Sequence, residues 1–167
     1  ELSGEPADSL DLAGRITAAS MATEMGAVIL LIPPDADISD HSRQAGACFT
    51  VRCADPDADY LRTETFDVSG LEPLISRPGR PDDVVPVRDV EGRRVDSVFV
   101  GSCTNGRYED LKAAAEILRG RHTADHVVLK IVPATDRVWQ ACMRDGLFEI
   151  FKTAGALVGN AGCAGCA

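Results

Sequence analysis

Apolar residues along the chain fall into two kinds of segment, and the alternation between them sets the expected architecture. From Leu10 to Met25 they recur at helical spacing, with Leu12, Ile16, Ala19 and Thr23 in step and Ala22 beside the last, and Gly26 follows where a helix C-terminal cap belongs. Ala27 to Ile32 is an unbroken apolar run closed by Pro33 and Pro34, the pattern of a strand buried on both faces. Asp35 to Arg43 reads as a short polar helix. Cys48 to Val51 and Tyr60 to Val68 read as strand-like stretches around an acidic Asp55-Pro56-Asp57 turn. Residues 70 to 94, with Pro73, Pro78, Pro81 and Pro86, read as an extended connection.

Beyond residue 94 the pattern becomes regular. It predicts a strand over 97 to 100, a loop over 102 to 107, a helix over 108 to 118 and a second buried-type strand over 127 to 132. Helices over 136 to 144 and 147 to 153 and a strand over 156 to 158 complete it. Strands alternating with helices imply an α/β fold, a three-layer α/β/α arrangement around a mainly parallel sheet, with ligands gathering at the carboxyl ends of the strands. Two lobes, 1–69 and 95–167, joined by the Pro-rich connection 70–94, are the expected organisation.

Charge and composition narrow the function. Twenty-six acidic residues against 17 basic ones leave a formal charge of -9, which disfavours nucleic acid and anionic membrane surfaces as partners. No apolar run approaches the length of a membrane span, and a cytoplasmic protein is expected. Six cysteines in a chain of 167 residues that can bury a core suit metal binding or buried thiols better than a disulfide framework. The chain opens on Glu1 and closes one residue after Cys166, so a fragment of a longer protein is expected.

Two segments carry chemistry. Val98-Phe99-Val100-Gly101-Ser102-Cys103-Thr104-Asn105-Gly106-Arg107 places a cysteine between a strand and a helix N-terminus, where the dipole favours the metal-binding thiolate. Gly159-Asn160-Ala161-Gly162-Cys163-Ala164-Gly165-Cys166 is a C-x-x-C among small residues that leave room for an inorganic centre. Redox pairs, zinc sites and iron–sulfur sites all use C-x-x-C, so the motif alone leaves the centre open. Cys48, Cys53 and Cys142 read as ordinary thiols. His122 and His126, four apart, could join Cys163 and Cys166 at zinc but read as solvated loop residues.

The pair of segments, with Glu109-Asp110-Leu111 after the first and Gly-Cys-x-x-Cys sixty residues beyond Cys103, resembles the signature pair of the aconitase and isopropylmalate dehydratase family. Met21-Ala22-Thr23-Glu24-Met25-Gly26-Ala27, Ala54 to Tyr60 and Asp82 to Val87 extend the likeness from about residue 11 to the end, in the order of the family's large-subunit form. The resemblance implies an aconitase iron-sulfur-domain-like fold, with Cys103, Cys163 and Cys166 holding a 4Fe-4S cluster that acts as a Lewis acid. It implies Glu24 as a catalytic carboxylate, and Ser20, where the family usually has Asn, as a substrate contact.

By the same resemblance the activity is that of a hydro-lyase isomerising 2-isopropylmalate to 3-isopropylmalate in leucine biosynthesis, or acting on homoaconitate, citrate or dimethylmalate. The substrate is a small 2-hydroxy acid, and the catalytic base resides on a small subunit or swivelling domain. The family's upstream histidine and aspartate segments and its downstream arginine segment have no counterpart here, so the isolated chain is expected to be inactive as a dehydratase. The competing expectation is a non-catalytic domain that binds zinc or no metal.

Overall fold

A computed structural model describes residues 1–47 and 49–163. The chain divides into two compact units, 1–91 and 92–167.

The first unit holds helices α1 (Glu5–Asp8), α2 (Leu12–Glu24) and α3 (Ala36–Gln44), then the hairpin strands β1 (Leu74–Ser76) and β2 (Val84–Pro86) and a 3-10 turn at Val87–Val90. Asp11 opens α2 by accepting from the Gly14 N–H at 2.8 Å, and Asp35 opens α3 by accepting from the Ile38 N–H at 2.9 Å. Each satisfies one of the free N–H groups that every helix start exposes. Gly26, at φ 80°, closes α2: the Ala27 N–H reaches back to the Ala22 carbonyl at 2.9 Å, as the sequence leads one to expect.

Buried Arg15 ties these elements together. Its guanidinium donates to the carbonyls of Leu10, Pro33 and Asp8 and pairs with Asp35 at 2.6 Å. A buried guanidinium is tolerated because its donors find acceptors.

Three expected strands of this unit are not formed among the described residues. Residues 27 to 32 join no sheet, and residues 49 to 51 and 60 to 68 carry no strand; Cys48 lies outside the described residues. A strand needs a neighbour to take up its N–H and C=O groups, and the pattern alone does not supply one. The Pro-rich stretch, read as a plain connection, contains the β1–β2 hairpin, in which Ile75 lies opposite Val85.

In the second unit β3 (Ser97–Gly101), a single helical turn α4 (Ser102–Asn105), α5 (Tyr108–Leu118), β4 (Val128–Val132), α6 (Asp136–Arg144), α7 (Leu147–Thr153) and β5 (Leu157–Val158) follow in order. The three strands form a parallel sheet in the order β3-β4-β5. Val100, Ile131 and Val158 line up across it and face the helices, packing with Leu111 and Ala115 of α5, Cys142 of α6 and Leu147 and Phe151 of α7. The next row, Phe99, Lys130 and Leu157, is exposed on the opposite face.

The α/β class and the parallel sheet are thus as the sequence implies, and this unit contributes two of the three expected layers. Both crossovers move the same way along the sheet, so right-handed connections put all three helices on one face. The reading of 127 to 132 as buried on both sides is corrected here to an alternating strand.

Candidate metal centre

The backbone of the β3–α5 connection is shaped by two glycines. Gly101, the last residue of β3, has φ 132°, and a Cβ there would stand 2.0 Å from the Val132 carbonyl oxygen. A Cβ on Gly106 would meet the Ser102 carbonyl oxygen at 2.5 Å and that of Val132 at 2.6 Å. Both positions therefore require the absence of a side chain. Between them Ser102 is buried and adopts φ 72°, a left-handed conformation uncommon outside glycine, which turns the chain so that Cys103 projects to the surface.

Main-chain hydrogen bonds then stitch the loops at the carboxyl ends of the three strands into one platform. The Ala134 N–H donates to the Gly106 carbonyl at 2.8 Å, Gly159 N–H to Ile131 at 2.9 Å, and Gly162 N–H to Pro133 at 3.0 Å. The result brings together two cysteines sixty residues apart: Cys103 Sγ and Cys163 Sγ, both exposed, lie 3.6 Å from each other. Thr104 Oγ1 lies 3.9 Å from Cys103 Sγ. Hydrogen bonding with the Cys163 thiol and then with the Thr104 hydroxyl holds the Cys103 thiol below its usual pKa. The thiolate, the form that ligates metal, is favoured.

Cys166, the third expected ligand, lies outside the described residues. Among the described residues no group of three or more His, Cys, Asp or Glu side chains is disposed to hold a metal ion. The donor set that is described fits a soft, thiolate-bound centre: two sulfurs with a hydroxyl beside Cys103. Beside it a hollow of about 370 Å³ is lined by Ala134, Thr135, Asp136, Trp139, Asn160 and Ala161.

The other cysteines and the histidines are accounted for elsewhere. Cys142 is fully buried in the core, where burial and then the nearby Asp145 push its thiol up to about 11. Cys53 is exposed in the first unit. His122 and His126 are exposed in the loop before β4, with His122 Nδ1 2.9 Å from the Thr123 carbonyl oxygen, and they join no metal-binding group among the described residues. Glu24 and Ser20 are exposed on the last turns of α2, four residues apart and so on one side of the helix.

Sequence reasoning overlooked Ser102 and Thr104 as companions of Cys103. The signal was available in that a hydroxyl residue stands on each side of the cysteine, but the strained conformation of Ser102 is a property of the folded loop. Arg107 was likewise passed over; its Nε is buried without a hydrogen-bond partner among the described residues.

The comparisons with known proteins agree with this picture. The Aconitase family (aconitate hydratase) model matches residues 1–93 and 88–167. A 3-isopropylmalate dehydratase large subunit of Methanopyrus kandleri is 43% identical over 167 residues, covering 99% of this chain and 40% of the relative. A probable methanogen homoaconitase large subunit of Methanothermobacter thermautotrophicus is 42% identical, covering 99% of this chain and 39% of the relative. A 3-isopropylmalate dehydratase large subunit of Nitratidesulfovibrio vulgaris is 42% identical over 166 residues, with the same 99% and 40% coverage. The chain thus spans about two fifths of the length of these curated relatives. Among the described residues no helix is long and apolar enough to cross a membrane. With the whole chain matched by the family model and its paired cysteines set at the carboxyl ends of a parallel sheet, the protein belongs to the aconitase family.

Proposed function

We propose that this chain is the cluster-binding part of a hydro-lyase that isomerises 2-isopropylmalate to 3-isopropylmalate, with both units belonging to one iron–sulfur domain. The observation that carries the reading is the convergence of Cys103 and Cys163, delivered by separate strands, on one platform. Cys103, Cys163 and Cys166 hold a 4Fe-4S cluster in this reading. When bound, the cluster supplies a Lewis-acidic iron that polarises the C–O bond of a 2-hydroxy acid.

The chain's own residues have narrower tasks. Hydrogen bonding with Cys163 and then with Thr104 lowers the pKa of Cys103 and so raises its share of thiolate. Glu24 carries a proton on its carboxylate to or from the departing hydroxyl, and Ser20, one turn earlier, offers a hydroxyl to the substrate. A carboxylate in the last turn of α2 sits at the negative end of the helix dipole, a placement that disfavours stability and accords with a functional reason for being there. The base that removes the substrate's carbon-bound proton comes from a small subunit or swivelling domain, in keeping with the words "large subunit" in the relatives' names. The relatives' names divide between isopropylmalate dehydratase and homoaconitase; the substrate in this reading is a small 2-hydroxy acid and the location cytoplasmic.

The test is anaerobic reconstitution, measuring iron, acid-labile sulfide, zinc and visible absorption in the wild type and in Cys103→Ser, Cys163→Ser and Cys166→Ser. Iron and sulfide in the wild type and their loss in each variant are expected; wild-type protein that takes up zinc alone, or no metal, overturns the proposal. Zinc is the second reading on one specific ground: two thiolates ~2.3 Å from one tetrahedral ion stand ~3.8 Å apart, close to the separation observed. The isolated chain is expected to show no turnover of 2-isopropylmalate even when loaded, and measurable turnover would refute the assignment of the base to another polypeptide or domain.

A further inference from the structure

Arg107 carries a donor that the folded chain does not use. Among the described residues its Nε is the one buried side-chain nitrogen or oxygen without a hydrogen-bond partner. Among the same residues its guanidinium forms no ion pair. A buried N–H left unpaired costs stability, more so on a charged group, and such a group in a folded protein calls for a partner.

Other arginines of the chain show what that partner is. Arg15 is buried, and it donates from Nε to the Leu10 carbonyl at 2.8 Å and from its terminal nitrogens to Pro33, Asp8 and Asp35. Arg77 grips Asp83 side-on, Nε on one carboxylate oxygen at 3.0 Å and a terminal nitrogen on the other at 2.6 Å. Arg80 holds Asp82 in the same way, with Nε at 2.9 Å. Nε and one terminal nitrogen form a planar fork that matches the two oxygens of a carboxylate. At Arg107 no carboxylate of the described chain meets that fork.

Position gives the unused fork a purpose. Arg107 follows the single turn α4, four residues after Cys103, and the main chain between them is fixed: the Gly106 N–H donates to the Ser102 carbonyl at 2.9 Å, and the Ala134 N–H to the Gly106 carbonyl at 2.8 Å. The Arg107 N–H donates to Asp110 Oδ2 at 3.0 Å, and its carbonyl accepts from the Leu111 N–H at 3.0 Å. These are main-chain tasks that need no guanidinium. The side chain is thus a permanent cation mounted on constrained backbone in the loop that presents Cys103, which is how a ligand-orienting group is preorganised.

We infer that Arg107 is a carboxylate-binding, specificity-determining residue, whose Nε–H and one terminal N–H grip side-on one of the two carboxylates of a 2-hydroxy dicarboxylate. The inference deepens the proposed hydro-lyase reading and rests on it. It assigns selection of dicarboxylates over monocarboxylates to this chain's own side chain.

The experiment follows the arginine Nε–H resonances of the metal-free, nitrogen-15-labelled chain during titration with 2-isopropylmalate and, separately, with 2-hydroxy-3-methylbutanoate. The second acid keeps the hydroxyl and the isopropyl group and lacks the second carboxylate. The resonance that disappears in Arg107→Lys should shift saturably with 2-isopropylmalate, and the monocarboxylate should bind about tenfold or more weaker. By calorimetry Arg107→Lys and Arg107→Gln should each weaken 2-isopropylmalate about tenfold or more, since an ammonium cannot take both oxygens side-on. Arg119→Gln, at an exposed position capping α5, should leave the affinity unchanged. No saturable shift at Arg107, equal affinity for the two acids, or an unaltered affinity in Arg107→Lys with urea stability lost, as a purely structural arginine would give, each overturns the inference. Iron and sulfide uptake by the same protein is read separately: dicarboxylate bound at Arg107 in a chain that takes up no iron leaves this site standing and sinks the cluster assignment, whereas a loaded cluster with no dicarboxylate at Arg107 does the reverse.

Discussion

Replacing Gly101 by alanine attacks the site through the backbone alone. The new Cβ would lie 2.0 Å from the Val132 oxygen, 2.8 Å from its carbonyl carbon and 2.9 Å from its nitrogen, all main-chain atoms of the strand paired with β3 at that point. No side-chain rotation relieves such a clash, so β3 and β4 must part at their carboxyl ends. A φ of 132° adds the cost of a region essentially reserved for glycine, about 1–3 kcal/mol, and overpacking against fixed neighbours adds about 1–3 kcal/mol. The expected loss is therefore ~2–6 kcal/mol, a large share of the ~5–15 kcal/mol that holds an ordinary domain together. The assay is urea unfolding followed by fluorescence of Trp139, the chain's single tryptophan, which packs edge-on against Phe148 at 5.1 Å in the same unit. Gly120→Ala is the control: its φ is 70°, but its Cβ would enter open space, so only the left-handed penalty of about 1–2 kcal/mol applies. Equal losses in the two variants would refute the claim that close backbone approach, beyond dihedral preference, shapes the Cys103 loop.

Three further outcomes are expected. With iodoacetamide at pH 8 and no metal, Cys103, exposed and held below the usual thiol pKa, should be modified early, whereas Cys142, buried and pushed up to about 11, should react only on unfolding; peptide mass spectrometry after timed quenching would contradict this if Cys142 were modified in folded protein. Phe151→Ala removes a side chain with no exposed surface from the core of the second unit and should cost about 3–5 kcal/mol by the same Trp139 titration; a loss under about 1 kcal/mol would mean that α7 is not packed as described. Glu24→Gln should leave α2 unchanged or firmer by about 0.3–1 kcal/mol through relief of the dipole contact, read as slower amide exchange in that helix, and loosening of the helix would show that Glu24 is there for stability.

The two units differ in how far their sequence could be read. The helix bounds from Tyr108 to Thr153 follow the apolar spacing because Leu111, Ala115, Cys142, Leu147 and Phe151 all meet one sheet face, so a single buried side imposes a clear period. Residues 49 to 68 resisted such a reading: short apolar pieces among Asp and Arg have no period long enough to separate strand from coil, and among the described residues they form none. The run 27 to 32 was read for the environment its composition suits, a sheet interior, but among the described residues it joins no sheet.

For the candidate site, the chemistry was legible in the residues alone: thiol-bearing segments among small residues, each directly after a strand, in an arrangement specific enough to resemble one family. That Cys103 and Cys163 are neighbours emerges from the folded chain, since a sixty-residue separation carries no distance until β3, β4 and β5 pair in parallel and their loops bond to one another. The tertiary structure also decided why Gly101 and Gly106 are glycines, because the carbonyl of Val132, distant in the chain, presses on both positions. Residue identity fixes which groups can react, whereas proximity and the burial that tunes them arise from long-range backbone pairing, to which local sequence is blind.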